Sequence, residues 1–145
     1  MSEAAAPGGF DPKQFMSFVR RVGHGGALGI GYVAHGEDWA ELSLPYDEKL
    51  IGMPASGIIA SGPIVSLMDM ATSVAIWVRL GQFRHQATLD LRVDYLRPAT
   101  PGRTLIGRGE CYAVRRSVAF VRGIAHDGDP EDPVAHVTGT FMFTE

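Results

Sequence analysis

The sequence predicts an α+β domain in which an antiparallel β-sheet wraps around one long central helix. Residues 61–80 (SGPIVSLMDMATSVAIWVRL) are apolar on almost every side of a helix, which is typical of a helix buried inside a protein. Four β-prone segments joined by short turns follow this helix and favour an antiparallel sheet. No other predicted element is apolar enough to cover a sheet of that length.

The first 26 residues predict a leader followed by a short helix. Residues 1–10 are small and are expected to form a flexible leader, and residues 11–145 a single domain. Asp11 as N-cap and Pro12 at the first helical position predict the start of an amphipathic helix. The glycines of the segment GHGG (23–26) are expected to end it.

A hairpin and a loop are predicted between this helix and the central one. The runs ALGIGYVA (27–34) and DWAELSLP (38–45) are β-prone and are joined by HGED. Residues 46–60 contain several glycines and prolines and therefore predict a loop. Ser61 or Gly62 is expected to cap the central helix, and Gly81 to end it.

The second half of the chain predicts four strands. Residues 84–98 (RHQATLDLRVDYLRP) alternate with a period of two, placing Thr88, Asp90, Arg92 and Asp94 on one face. Two further strands flank the segment Arg115–Arg116–Ser117, and residues 134–145 form the last strand.

Composition excludes several classes of protein. The chain is 46% hydrophobic and carries a formal net charge of −3, so we expect no general attraction to nucleic acid or to an anionic membrane. The N-terminus has neither the basic nor the apolar region of a signal peptide, which predicts a cytoplasmic protein. The one cysteine, Cys111, is expected to be a packed thiol in a reducing compartment.

Asp69 is the one charged residue in the middle of the central helix. Ser66, Thr72 and Ser73 lie three or four residues from it and predict a narrow polar stripe. From the residues alone, this stripe is either an ordinary solvent-facing edge or the position of a working carboxylate in a cleft.

Common catalytic and metal-binding motifs are missing from the sequence. It has no G-x-S-x-G elbow, no dinucleotide fingerprint and no zinc spacing, so no metal and no resident cofactor are expected. The five histidines are scattered and are expected to be surface or hydrogen-bonded residues. The HGG at His24–Gly26 precedes the first strand and is interpreted as unrelated to the site.

The segments HQATLDLRVDYLRPATPGRTL and VAHVTGTFMF, together with the predicted layout, resemble the hotdog-fold acyl-CoA thioesterases of the PaaI-like (phenylacetate-pathway) branch. The resemblance covers residues 26–143 and is most specific from Thr88 to Ala99. It implies a hotdog fold, in which an antiparallel sheet surrounds one central helix. Family members carry H-G-G at the helix start and an Asp seven residues later, a spacing that Gly62 and Asp69 keep. Ala60 and Ser61 replace the family's His and first Gly, and the family's Asn is also missing.

The resemblance implies roles for several residues. Asp69 would attack the thioester or activate water, and backbone N–H groups near Ser61 and Gly62 would form the oxyanion hole. Thr88 matches a polar residue that faces the site from the neighbouring subunit. Arg97 and Arg116 are the candidates for binding the phosphates of coenzyme A.

The implied function is hydrolysis of an acyl- or aryl-CoA by a homodimer or homotetramer whose sites lie between subunits. Two alternatives stay open: a non-catalytic acyl-CoA-binding domain, and a hotdog hydratase or dehydratase, which would need a His beside an Asp or Glu. The segment 46–69 contains no His, which disfavours the hydratase. An apolar acyl pocket is expected from residues that would also suit a core: Met53, Ile58, Ile59, Met68 and Trp77.

Overall fold

The computed structural model describes residues 9–145 of the chain. In chain order its helices and strands are α1 (Pro12–Val19), α2 (Gly23–Leu28), β1 (Gly31–His35), β2 (Trp39–Leu44), α3 (Ser61–Leu80), β3 (Gln86–Tyr95), β4 (Leu105–Val114), β5 (Val118–His126) and β6 (Ala135–Phe143). The expected leader, residues 1–10, lies mostly outside the described residues. Its last member, Phe10, packs its ring against Phe15 and Trp77.

The six strands form one antiparallel sheet in the order β1-β2-β4-β5-β6-β3. Helix α3 packs across β2, β4 and β5, and its buried residues include Leu67, Met68 and Ala71. The predicted architecture is confirmed: an antiparallel sheet wraps around one central helix. By length and composition α3 is apolar enough to cross a membrane, but here it is the core helix of the domain.

Glycines in the sheet allow α3 to approach it closely. A Cβ added at Gly107 would lie 2.7 Å from the Leu67 side chain, and one added at Gly109 would lie 2.7 Å from the main chain of Ala71. The neighbouring strand repeats the feature, because a Cβ at Gly123 would meet Arg108 of β4 and Met68 of α3. The helix therefore rests directly on the backbone of β4 and β5.

The N-terminal segment corrects one prediction. Asp11 caps α1 as expected, since its carboxylate accepts from the N–H groups of Lys13 and Gln14. The GHGG segment, however, does not simply end the helix. It begins α2, and β1 therefore starts at Gly31 and not at Ala27. Helix α2 ends at Gly29, whose φ of 76° lies in the left-handed region that glycine tolerates.

The start of α3 corrects a second prediction. Ala60 is the N-cap residue in place of the expected Ser61 or Gly62, and no side chain in the described part of the chain caps the helix. The first-turn N–H groups of Ser61 and Gly62 therefore have no partner within the helix, and Pro63 has no N–H to offer. The other end is as predicted, because Gly81 adopts a φ of 72° and closes the helix with bonds to Trp77 and Val78.

Strand β3 departs from the predicted alternation. Its pairing with β6 shifts between Thr88 and Asp90, where Thr88 pairs with Phe141 and Asp90 with Thr140, so that Leu89 is an extra residue. Such a bulge reverses the alternation of side chains. Thr88 therefore lies on the helix-facing side of the sheet together with Leu91 and Val93, and not with the outward-facing Asp90.

The end of β3 is fastened to the end of β5 by an ion pair. The Arg97 guanidinium donates to both carboxylate oxygens of Asp127 at 3.1 and 2.7 Å. It also donates to the Asp132 carbonyl at 2.8 Å, and its Nε lies 3.3 Å from the Asp132 carboxylate, too poorly aligned for a hydrogen bond. The Arg97 guanidinium holds the pKa of the buried Asp127 carboxyl well below its usual range.

Cys111 is fully buried in β4, and burial raises the pKa of its thiol, so the expected packed thiol is confirmed.

We expect Gly109→Ala to destabilise the domain by about 1–3 kcal/mol, because the added methyl group must displace the backbone of α3. Urea unfolding followed by circular dichroism measures the change. Gly62→Ala is the matched control, because its added Cβ meets nothing within 4 Å. Equal unfolding midpoints for the two variants would show that α3 does not rest on Gly109.

We expect Arg97→Ala to lower the midpoint of thermal unfolding at pH 7 by more than Arg92→Ala, because it leaves the buried Asp127 carboxylate without its partner. The control removes an exposed pair with Asp94. Since the folded-state pKa of Asp127 is lowered, the pair stabilises the protein fully above about pH 4 and is lost as the pH falls through that pKa. The difference between the variants should therefore shrink in strong acid, and a difference that persists unchanged there would refute this account.

Candidate active site

The candidate site centres on a hydrogen bond between α3 and β3. The Thr88 hydroxyl donates to Oδ1 of Asp69 at 2.7 Å. Asp69 is half-buried and Thr88 is exposed, so the pair can be reached from solvent. The resemblance implied that Thr88 faces the site from a neighbouring subunit, whereas the structure joins it to Asp69 within one chain. The bulge at Leu89 makes this contact possible, because regular alternation would turn Thr88 to the outer face.

The polar stripe predicted around Asp69 is only partly present. Thr72 is buried and donates to the Met68 carbonyl at 2.7 Å, and Ser73 donates to the Asp69 carbonyl at 2.8 Å. Both hydroxyls are thereby satisfied by the helix itself. Ser66 differs, since its hydroxyl lies 2.8 Å from Nε2 of His24 on α2. His24 is thus hydrogen-bonded, as expected for the histidines of this chain. Its partner, however, belongs to the polar stripe that contains Asp69, whereas the interpretation from the sequence is that the HGG segment is unrelated to the site.

The start of α3 forms a second polar element. The N–H groups of Ser61 and Gly62 have no partner among residues 9–145. Together with the positive end of the helix dipole, they favour an anion or a developing oxyanion there. A Cβ added at Gly62 would meet nothing within 4 Å, so contacts within the chain do not require glycine at this position. Tyr95, at the end of β3, donates to the Ser61 carbonyl at 3.3 Å and fixes the helix start against the sheet.

A cavity of about 330 Å³ lies beside this helix start. Its lining is mainly apolar and consists of Ile58, Ile59, Ser61, Ile64, Tyr95, Leu96, Arg97, Pro98, Ala99 and Val134. Of the residues expected in an acyl pocket, Ile58 and Ile59 line it. Met68 and Trp77 are instead core residues, and Met53 is 73% exposed.

The two polar elements are separated along one helix. Asp69 follows Ser61 by eight positions, and at a rise of 1.5 Å per residue this places them about 12 Å apart along the axis. A thioester carbonyl bound at the helix start therefore lies beyond the reach of the carboxylate on the same helix. One chain holds both halves of a site, but it does not bring them together.

The two arginines proposed for coenzyme A differ in availability. Arg97 is held by Asp127 and Asp132, so its guanidinium is already occupied by protein groups. Arg116 is exposed in the turn between β4 and β5. Among residues 9–145, no group of three or more His, Cys, Asp or Glu side chains is arranged to hold a metal ion.

Sequence reasoning missed two residues at this site. Tyr95 lies in a predicted strand, and the residues alone give no signal that its hydroxyl reaches the helix start. His24 stood in a literal HGG that matched the family motif in letters but not in position, and the contact with Ser66 crosses 42 residues.

The chain is similar in sequence to a bacterial acyl-CoA thioesterase and similar in structure to two solved proteins. The medium/long-chain acyl-CoA thioesterase YigI of Escherichia coli is 28% identical over 146 aligned residues, which cover 86% of this chain and 88% of that protein. The crystal structure of a Pseudomonas aeruginosa protein, 40% identical, superposes with a TM-score of 0.79 and covers 90% of this chain and 95% of its own. The Escherichia coli PaaI protein, 16% identical, shares the fold with a TM-score of 0.78 over 92% of this chain and 94% of that one.

The family model that matches residues 56–134 is described as the thioesterase superfamily. This match spans α3 and three of the six strands, β3, β4 and β5, and includes Asp69 and Thr88. The hotdog fold and the enzyme class expected from the sequence, a thioester hydrolase, are both confirmed. The chain belongs to the thioesterase superfamily.

Proposed function

We propose that the chain is an acyl-CoA thioesterase that releases a free acid and coenzyme A, with Asp69 as its catalytic carboxylate. The observation that carries the proposal is the 2.7 Å hydrogen bond from Thr88 to Asp69, on a half-buried helix face that solvent can reach. A carboxylate fixed in this way can act on a thioester carbonyl as a nucleophile or through water as a general base.

The Thr88 hydroxyl orients the carboxylate for this work. Because Thr88 donates to Oδ1, the second oxygen of Asp69 is left to accept a proton from water or to attack the carbonyl carbon. The same hydroxyl oxygen can accept a hydrogen bond from the attacking water. Side chains that would compete for the carboxylate, Thr72 and Ser73, bond to the main chain instead.

The oxyanion donors are the N–H groups of Ser61 and Gly62 of a second copy of the chain. Backbone donors at a helix start stabilise the tetrahedral oxyanion without help from a side chain, so Ala60 need not abolish the reaction. The distance of about 12 Å along α3 supports the second copy, because no single chain joins the two halves.

The arrangement of β3 supports a dimer of this kind. Strand β3 is the outermost strand of the sheet, and its second edge has no strand partner among residues 9–145. Thr88 lies near its first residue, and Tyr95, bonded to Ser61, is its last. Antiparallel pairing of two such edges aligns the beginning of one strand with the end of the other. It therefore brings the helix start of one copy toward Asp69 of its partner.

The cavity beside the helix start and the exposed Arg116 support a proposal for the acyl group and the coenzyme A phosphates of the substrate. The apolar cavity beside the helix start suits an acyl group, and the medium- and long-chain thioesters named for the related Escherichia coli enzyme are the first to test. Arg116 is the arginine proposed to bind the phosphates of coenzyme A, since Arg97 is engaged. We propose that the protein is cytoplasmic.

We expect Asp69→Asn to lower kcat by about 10²–10⁴-fold, because it removes the base or nucleophile. Thr88→Val should lower kcat by about tenfold, the worth of one hydrogen bond of about 1.4 kcal/mol. Release of the free thiol from aryl-, medium-chain and long-chain acyl-CoA measures both effects. Asp90→Asn, on the outward face of β3, is the matched control and should leave kcat unchanged.

Hydrolysis that survives Asp69→Asn unchanged would contradict the proposed role of this residue. Tight binding of acyl-CoA by the wild type without turnover would indicate the non-catalytic alternative. Addition of water to a 2-enoyl-CoA in place of thiol release would indicate a hydratase.

We expect Gly62→Val to abolish most activity while leaving the fold intact, because the new side chain occupies open space in the chain but blocks the helix start for a substrate. Mixing this variant with Asp69→Asn by joint refolding should restore activity. In such a mixed dimer, one of the two sites combines an intact Asp69 with an intact helix start from the other chain.

The size of the restored activity is the measurement. A statistical mixture contains half mixed dimers, each with one intact site, so about one quarter of wild-type activity is expected. No recovery, with mixed dimers demonstrated by mass spectrometry, would show that both halves belong to one chain. Each variant refolded alone is the control.

A further inference from the structure

The hydroxyl of Ser66 behaves differently from its neighbours on α3. A serine or threonine within a helix usually donates back to a carbonyl one turn earlier, and both Thr72 and Ser73 do so. Ser66 instead meets Nε2 of His24 at 2.8 Å, a contact between different elements. His24 therefore holds this hydroxyl away from the helix backbone.

The glycines that follow His24 set its position. A Cβ added at Gly25 would lie 2.6 Å from Cγ1 of Val19, and one added at Gly26 would lie 3.1 Å from the carbonyl oxygen of Arg20. Helix α2 can thus fold back onto the end of α1 only with small residues here. The HGG sequence places an exposed imidazole against α3 at a defined point.

That point adjoins the catalytic carboxylate. Ser66 precedes Asp69 by three residues, and side chains at this spacing are neighbours on one helix face, with Cβ atoms about 5–6 Å apart. Along this face the His24–Ser66 pair occupies one turn and the Asp69–Thr88 pair the next. Helix α2 contributes His24 to this face, and strand β3 contributes Thr88.

The chemistry of the pair suits the ordering of a ligand or a water molecule. If Nε2 accepts from Ser66, the serine oxygen keeps its lone pairs for a donor bound beside the polar stripe. If Nε2 donates, the serine proton is free for an acceptor there. In both tautomers Ser66 keeps hydrogen-bonding capacity for a second partner.

We propose that His24, acting through Ser66, is a positioning residue for the reaction at Asp69, holding the serine hydroxyl where it orients the thioester or the attacking water. The inference rests on the proposed acyl-CoA thioesterase function and adds to it a residue from outside the helix. It also gives the HGG segment a role at a place in the fold different from the helix start.

The test compares kinetic constants and thermal midpoints of His24→Ala, His24→Gln, Ser66→Ala and the double variant His24→Ala/Ser66→Ala. We expect His24→Ala and Ser66→Ala each to lower kcat about tenfold without lowering the thermal midpoint, with KM changed less than kcat. The glutamine variant should recover most of the loss, because its amide can replace the hydrogen bond to Ser66. The double variant should be no slower than either single variant, since both remove one interaction.

The matched control is His35→Ala. His35 also forms an exposed imidazole–hydroxyl bond of 2.8 Å, to Tyr32 on β1, and its loss should leave kcat within twofold of the wild type. His24→Ala within twofold of the wild type, or losses that multiply in the double variant, would overturn the inference. Asp69→Asn measured alongside separates the two proposals: if it alone loses activity, only the His24 inference fails, and if it keeps activity, both fail.

Discussion

The close contact between α3 and the backbone of β4 and β5 is the constraint on which the rest of the structure depends. With glycine at 107, 109 and 123, the helix lies close to the sheet: an added Cβ would meet the Leu67 side chain at Gly107 and main-chain atoms at Gly109 and Gly123. This contact fixes the height of α3 above the sheet. The height in turn decides whether a short side chain on β3 can reach a carboxylate on the helix, as Thr88 reaches Asp69.

Around this core, the ends of the elements are held by polar contacts and the middle by apolar packing. Tyr95 fastens β3 to the helix start, and Arg97 fastens the following loop to Asp127. Both contacts stiffen the region that surrounds the cavity. An arginine that the sequence offers for substrate binding is thereby used for structure, which is a common use of a bidentate guanidinium beside a buried carboxylate.

The sequence predicted the architecture because apolar periodicity and turn residues are local signals. It placed α3 at residues 61–80 and identified Asp69 as the one charged residue in the middle of this helix. It did not predict helix α2, because glycine-rich segments are usually loops, nor the contact of His24 with Ser66, which joins distant parts of the chain. The bulge in β3 was also missed, because an extra residue in a strand depends on pairing with β6, and no periodicity within β3 records it.

The bulge at Leu89 has a consequence for how such a strand can change. It divides β3 into two stretches of opposite phase, so that Thr88 bonds to Asp69 while Leu91 and Val93 pack in the core on the same face. A substitution in one stretch therefore does not change the face of the sheet on which the side chains of the other stretch lie. Loss or gain of a single residue at the junction, by contrast, turns the hydroxyl away from the helix without disturbing the apolar packing beyond it. The contact with Asp69 therefore depends on the register of this strand as much as on the identity of residue 88.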